Sequence, residues 1–103
     1  MRFYSTKDNS NSVGFKVALF HGLAPDGGLY MPETIPHLGI DFFKSDLSYP
    51  ELAIGMIHPF TKDDLTHARL TDICESAFDF PLQIQELNKI DSILELFLSL
   101  IHI

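Results

Sequence analysis

Apolar residues recur along this chain in two rhythms, and the change of rhythm separates helical from extended parts. Phe15, Ala18, Leu19 and Gly22 fall at i, i+3, i+4 and i+7, the spacing of one helix face. A short helix is predicted from near Gly14, an acceptable N-cap that brings no side-chain acceptor. Leu52, Ala53, Met56, Ile57 and Phe60 make a second stripe. It opens on Ser48 and Glu51 at capping-box spacing, with Leu47 and Leu52 as a hydrophobic staple. Pro50 falls in the first turn, where its missing N–H does no harm, and Pro59 is expected to close the helix from beyond its end. Leu70, Ile73, Cys74, Ala77 and Phe78 form a third stripe. They predict a helix reaching Phe78 and starting at Thr61 as N-cap, with Asp64 at N3 and Phe60 stapled to Leu65. Asp63 and Asp64 would complement the positive end of its dipole. Between the first two helices, Pro36 and Gly39 interrupt Glu33–Asp46 and leave one apolar turn of Ile40, Phe42 and Phe43.

After Pro81 the period drops towards two. Leu82, Ile84 and Leu87 alternate with Gln83, Gln85 and Glu86, Asn88–Asp91 reads as a turn, and Ser92–Phe97 reads as a second strand. A helix is the alternative there, because Glu and Leu are good helix formers. At the other end, Arg2–Thr6 has aromatic and β-branched residues suited to a strand, and Asp8–Ser12 suits a loop. The fold class expected is α+β: three to four helices packed on a small sheet made from the N-terminal and late strands.

The densest punctuation lies in Gly22–Pro32, which holds three of the 6 glycines and two of the 6 prolines. There the backbone path is specified more than the side chains. Gly22 can stop the first helix in the left-handed C′ position. Pro25-Asp26-Gly27 has tight-turn chemistry, and Gly28–Met31 looks like a short strand ended by Pro32.

With 103 residues there is room for one domain, and net charge −7 disfavours a nucleic-acid or anionic-membrane surface. Cys74 is the single cysteine, which excludes an internal disulfide and fits a buried small hydrophobe. Neither an apolar signal core nor a run of membrane-spanning length occurs, so a soluble, cytoplasmic protein is expected.

Candidate chemistry is sparse. His21, His37, His58, His67 and His102 show no metal-ligand spacing with one another or with Cys74. Asp63-Asp64 reads as helix-terminal charge rather than a catalytic pair. The glycine-rich hinge precedes no Lys-Ser/Thr and opens no helix, so it is not a phosphate-binding P-loop. No serine stands in a Gly-x-Ser-x-Gly elbow. The residues alone describe an acidic α+β domain without a self-contained active site.

Tyr4-Ser5-Thr6-Lys7, then Gly14-Phe15-Lys16-Val17-Ala18-Leu19, then Gly22-Leu23-Ala24-Pro25-Asp26-Gly27-Gly28-Leu29-Tyr30-Met31-Pro32 closely resemble the N-terminus of threonine synthase. That family pattern runs Tyr-Ser-Thr-Arg, Ser-Phe-x-x-Ala-Leu, then Gly-Leu-Ala-x-Asp-Gly-Gly-Leu-Tyr-x-Pro. A looser likeness continues through Pro50-Glu51-Leu52-Ala53, Pro59-Phe60, Ala77-Phe78, Pro81 and Leu94-Glu95-Leu96-Phe97, so it covers residues 1–97. Lys7 and Gly14 depart mildly, standing where Arg and a better-capping Ser are usual.

The resemblance implies the N-terminal domain of a tryptophan synthase β-like, fold type II enzyme. Such an enzyme uses pyridoxal phosphate to convert O-phosphohomoserine and water to threonine and phosphate. The cofactor lysine would lie in His-Gly-Pro-Thr-x-x-Phe-Lys-Asp, after the Glu-Leu-Phe strand. Here Leu98-Ser99-Leu100-Ile101-His102-Ile103 follows instead, and neither Lys62 nor Lys89 matches that motif. The catalytic, cofactor and substrate sites are therefore expected beyond residue 103, in a missing C-terminal catalytic domain of the same polypeptide. The chain alone is expected to be inactive and to bind no cofactor. Its family-motif residues, Tyr4, Ser5, Thr6, Gly22, Asp26, Gly27, Gly28, Tyr30 and Pro32, are expected to be structural.

Residues 98–103 read as a non-family tail, as one frame of a transposase sequencing-adapter end would encode. With Phe97, this uncharged apolar end should make the chain aggregation-prone, less so when cut after Asp91. Two other readings stay open: part of a threonine synthase-like phospholyase, which releases phosphate without making threonine, and a freestanding interaction module.

Overall fold

The computed structural model of the chain describes residues 1–95, so the expectations for Leu96, Phe97 and the tail 98–103 lie outside the described residues. β1 (Phe3–Ser5) is the middle strand of an antiparallel sheet, flanked by β2 (Ser12–Val13) and β3 (Tyr30–Pro32). Phe3 stands opposite Val13 on one side and Pro32 on the other, and Tyr4 opposite Met31. Ser12, expected in the loop, joins the sheet because Arg2 clips it there. Its Nε donates to Ser12 Oγ at 3.0 Å and its Nη2 to the Ser12 carbonyl at 2.6 Å. Pro32, expected to end β3, is its last residue, and the strand lies at a sheet edge where a missing N–H is tolerated.

Helix α1 (Phe15–His21) follows Gly14, as predicted. Its end differs in detail. Gly22 has φ 73° and ψ −75°, and the Leu23 N–H donates to the His21 carbonyl at 2.9 Å. That is a γ-turn, not the left-handed C′ conformation, although positive φ still calls for glycine. Helix α2 (Ile40–Lys44) is the short apolar turn. Phe42 packs so closely on Gly55 that a Cβ there would overlap the ring.

Helix α3 (Tyr49–Thr61) starts as expected: Ser48 Oγ accepts from the Glu51 N–H at 3.3 Å. The helix does not stop before Pro59; it runs two residues past it. In the last turn Pro59 removes only its own bond to the Gly55 carbonyl, which a helix end tolerates.

The predicted start of the next helix is wrong by five residues. Thr61 is 1% exposed, completes α3, and donates its hydroxyl to the Ile57 carbonyl at 3.4 Å. Helix α4 (His67–Ala77) is capped by Thr66, whose Oγ1 accepts from the Arg69 N–H at 3.2 Å. Leu65 is therefore no staple. It packs with Ile54, Ile57 and Phe78 around the core cluster Ala53, Leu70 and Cys74. Cys74 is a free, fully buried thiol, and burial pushes its pKa up. Beyond the core, the Tyr49 ring meets Phe78 and Phe80 at 5.0 and 5.5 Å between centroids.

The late strands do form. β4 (Gln83–Glu86) and β5 (Ser92–Glu95) make an antiparallel hairpin, with Ile84 opposite Leu94. Asn88 shapes its loop, its side-chain oxygen accepting from the Ile90 and Asp91 N–H groups at 2.7 and 2.8 Å. The single expected sheet is corrected here: the hairpin is a separate two-stranded sheet and does not join β1. Every residue of β4 is exposed, so nothing among the described residues covers its faces. No described helix is long and apolar enough to cross a membrane.

Candidate functional site

The expected motif residues converge where α1 hands over to β3. Ala24-Pro25-Asp26-Gly27 is a tight turn closed by the Gly27 N–H on the Ala24 carbonyl at 2.9 Å. Gly27 then takes φ 84°, and the Ala24 N–H donates to the Gly28 carbonyl at 2.9 Å. This is a three-residue hairpin loop of the type-I-plus-bulge kind, in which the residue after the turn must accept positive φ. Leu23 and Leu29 bridge across it.

Three side chains bolt this loop to β1. Asp26 Oδ1 accepts from Ser5 Oγ at 2.7 Å and from the Gly28 N–H at 2.8 Å. Ser5 Oγ in turn accepts from the Lys7 N–H at 3.1 Å. Thr6 Oγ1 accepts from the Leu29 N–H at 3.0 Å, while the Thr6 N–H donates to the Leu29 carbonyl at 2.8 Å. The buried Gly28 sits at the centre. A Cβ on it would overlap Ser5 Oγ and lie 3.0 Å from both Asp26 Oδ1 and Thr6 Oγ1. Tyr30 continues from this knot into β3, and its hydroxyl shares a 3.0 Å hydrogen bond with His21 Nδ1. Tyr4 and Pro32 belong to the sheet beside it, and Gly22 lies one turn upstream.

The Ser5 and Gly28 donors hold the Asp26 carboxyl below its usual range. The folded pKa is the lower one, so the stabilisation is present above the unfolded value of 3.8 and is lost as pH falls through the folded pKa. Asp26→Asn is therefore expected to be less stable near neutral pH and to lose less further stability below about pH 4. Urea unfolding midpoints of both chains between pH 3 and pH 6 check this. Parallel acid limbs would contradict it.

Beside the knot is a cleft of about 240 Å³, lined among others by Asp8, Asn11, His21, Asp26 and Tyr30. Its two carboxylates both have lowered pKa values, Asp8 through the Ser10 side chain and backbone. An ionised acidic wall repels a phosphate, and no lysine lines the cleft. These residues therefore do not fit pyridoxal phosphate. Ser5 donates to a carboxylate rather than to a histidine, so it is not arranged as a nucleophile. No group of three or more His, Cys, Asp or Glu among the described residues is placed to hold a metal.

Three contacts were not legible in the spacing. Asp64 Oδ2 accepts from the Lys16 N–H at 3.0 Å, so the cap that Gly14 lacks comes from a residue 48 positions away. Asp63 likewise leaves the dipole of α4 and pairs with the α-amino group of Met1, which lowers its pKa. His58 and His67, far apart on paper, bring their rings to 5.4 Å across the α3–α4 connection.

Asp64→Ala should cost about 1 kcal/mol, the usual value of a lost N-cap. The effect should concentrate in α1, because seven residues are too few to hold a helix unaided. Amide exchange of Ala18 and Gly22 checks this: a roughly fivefold loss of protection is expected there, with α3 and α4 unchanged.

Residues 2–78 match the family model described as threonine synthase N terminus. Threonine synthase of Pseudomonas aeruginosa is 34% identical over 104 residues, an alignment spanning 94% of this chain and 22% of that protein. Threonine synthase-like 2 of Homo sapiens is 41% identical over 81 residues, or 76% of this chain and 17% of that protein. The fold superposes on the crystal structure of Escherichia coli threonine synthase with a TM-score of 0.81 at 26% identity, covering 94% of this chain and 23% of that one. With pyridoxal-phosphate-bound threonine synthase from Brucella melitensis the TM-score is 0.84 at 30% identity, covering 94% and 22%. The chain thus spans about a fifth of the length of the proteins it matches.

Proposed function

We propose that this chain, which belongs to the threonine synthase family as its N-terminal part, serves a larger cytoplasmic enzyme as a docking domain. That enzyme would convert O-phosphohomoserine and water to threonine and phosphate. Pyridoxal phosphate, the electron sink for the carbanion chemistry, would be held by a lysine outside residues 1–103. No residue of this chain takes part in bond making. The Ser5–Asp26–Gly28 knot, with Tyr4, Thr6, Gly22, Gly27, Tyr30 and Pro32, would be structural: it sets the path from α1 into β3 and so fixes which faces meet the rest of the protein.

One observation carries this reading: the apolar surface that the described residues leave uncovered. Phe20 is 78% and Ile90 91% exposed, and Leu19, Leu29, Met31, Ile84 and Leu94 are also exposed. Scattered exposed apolar residues are ordinary; bulky ones gathered on one short helix, the strand after it and one hairpin mark surfaces that bury against something.

The test is to express the complete protein encoded at this locus, supply O-phosphohomoserine, and measure threonine and phosphate together. Equal amounts of both are expected. The 41% identity to threonine synthase-like 2 favours one alternative, a phospholyase; phosphate without threonine would establish it. A reading frame that carries no cofactor lysine after residue 103 would leave only a freestanding interaction module.

A further inference from the structure

We propose that the groove between α1 and α4 seats an amphipathic helix from the remainder of the same polypeptide, with a carboxylate of that helix meeting Arg69. This rests on the reading that the protein continues into a catalytic portion.

The groove encloses about 410 Å³. Phe15 and Leu19 stand one turn apart along its α1 wall, and Arg69 and Ile73 one turn apart along the α4 wall, with Leu65 lining it just before the Thr66 cap. Rows at i±4 are the ridges between which another helix lays its own row. Leu19, Phe20 and Ile73 are exposed on it. Helix α1 buries none of its seven residues among the described ones. A helix of that length is marginal on its own; Asp64 caps it and Phe15 meets Phe3, and cover on this face would add to its stability.

Charge selects the occupant. The chain is acidic at −7, yet Lys16 and Arg69 both line this groove. Asp64, its acidic residue, is committed to the N-terminus of α1. Arg69 forms no ion pair among the described residues. A helix with an acidic flank satisfies it and gains orientation from the pair. A second copy of this chain is disfavoured, because a two-fold contact would set the two cationic grooves against each other. The matched part is 17–22% of the relatives' length, which leaves room for such a helix in a continuing polypeptide.

The experiment uses the complete, cofactor-loaded protein carrying Leu19→p-benzoylphenylalanine, with the cross-linked peptides mapped by mass spectrometry. The expected product is a cross-link within one polypeptide, into a segment beyond residue 103 with apolar residues at i, i+3 or i+4 and i+7. A cross-link to a second copy, or into a segment without that spacing, would overturn the proposal. So would no cross-link in a protein that still makes threonine, and that result would leave the proposed activity standing. Conversely, the expected cross-link in a protein that makes no threonine would sink the activity and keep the seat. For the charge, Arg69→Glu in the complete protein should speed proteolytic separation of the N-terminal part at least tenfold, with Lys44→Glu on α2 unchanged. Glu at position 69 creates a capping box with Thr66, so α4 itself is not weakened. Equal separation rates for Arg69→Glu and the parent would overturn the pairing.

Discussion

Gly28→Ala should unfold the N-terminal sheet while leaving the α3–α4 pair in place. The added methyl group would occupy the space of Ser5 Oγ. That oxygen cannot swing aside freely, since it donates to Asp26 and accepts from the Lys7 N–H. Asp26 and Thr6 block the other directions at 3.0 Å. Overpacking of this kind costs typically about 1–3 kcal/mol, and here the relief motion also breaks two hydrogen bonds, each worth about 1 kcal/mol. The upper end, about 3 kcal/mol or more, is expected. Gly39→Ala is the control. It has nothing within 4 Å and an ordinary φ of −67°, so its cost should stay at about 0.5–1 kcal/mol, what alanine costs relative to glycine at an N-cap. Urea unfolding of the three chains, with the Tyr4 and Tyr30 amides followed by exchange, checks both the size and the place of the effect. A Gly28→Ala chain as stable as the Gly39→Ala chain would contradict the interlock.

Leu70→Ala should be the most damaging core substitution, at about 2–5 kcal/mol. Leu70 is 3% exposed and belongs to a cluster of only three buried residues, with Ala53 and Cys74. Ile54, Ile57, Leu65 and Phe78 pack around that cluster, so the lost side chain would open a cavity at the centre of the α3–α4 contact. Since a domain of this size has about 5–15 kcal/mol in total, the loss removes a large part of it and should lower the thermal midpoint by about 8 °C or more, given about 4–8 °C per kcal/mol at this length. Ile73→Ala, one residue row away but 49% exposed, should cost far less in the isolated chain. Equal losses at the two positions would mean that α4 packs on a different face from the one described.

Local signals in the sequence were legible and non-local ones were not. The Ser48–Glu51 cap, the glycine stop at Gly22 and the Pro25-Asp26-Gly27 turn each depend on a few neighbouring residues, and each is present. Thr61-x-x-Asp64 carried the same local cue as Ser48-x-x-Glu51 and was misleading. Burial of Thr61 and the claim of α1 on Asp64 decided between Thr61 and Thr66, and neither contact is visible in a window of four residues. The two-residue rhythm after Pro81 identified strands but not their partner, which is why the hairpin was expected to join β1. The apolar face of α1 was visible as a stripe; that it lacks cover within the described residues was not. At the knot, the glycine-rich composition announced a special backbone. That Gly28 is needed because Ser5, Thr6 and Asp26 surround it emerges only when residues 5 and 28 meet.

The central claim is that this chain supplies framework and the remainder of the protein supplies chemistry. The most direct test is to locate the cofactor bond. In the complete protein, the bond between pyridoxal phosphate and its lysine is fixed by borohydride reduction and the labelled peptide identified by mass spectrometry. The label is predicted on a single lysine outside residues 1–103. Label on Lys7, Lys16 or any other lysine of this chain would contradict the account, as would a protein that makes threonine and takes no label.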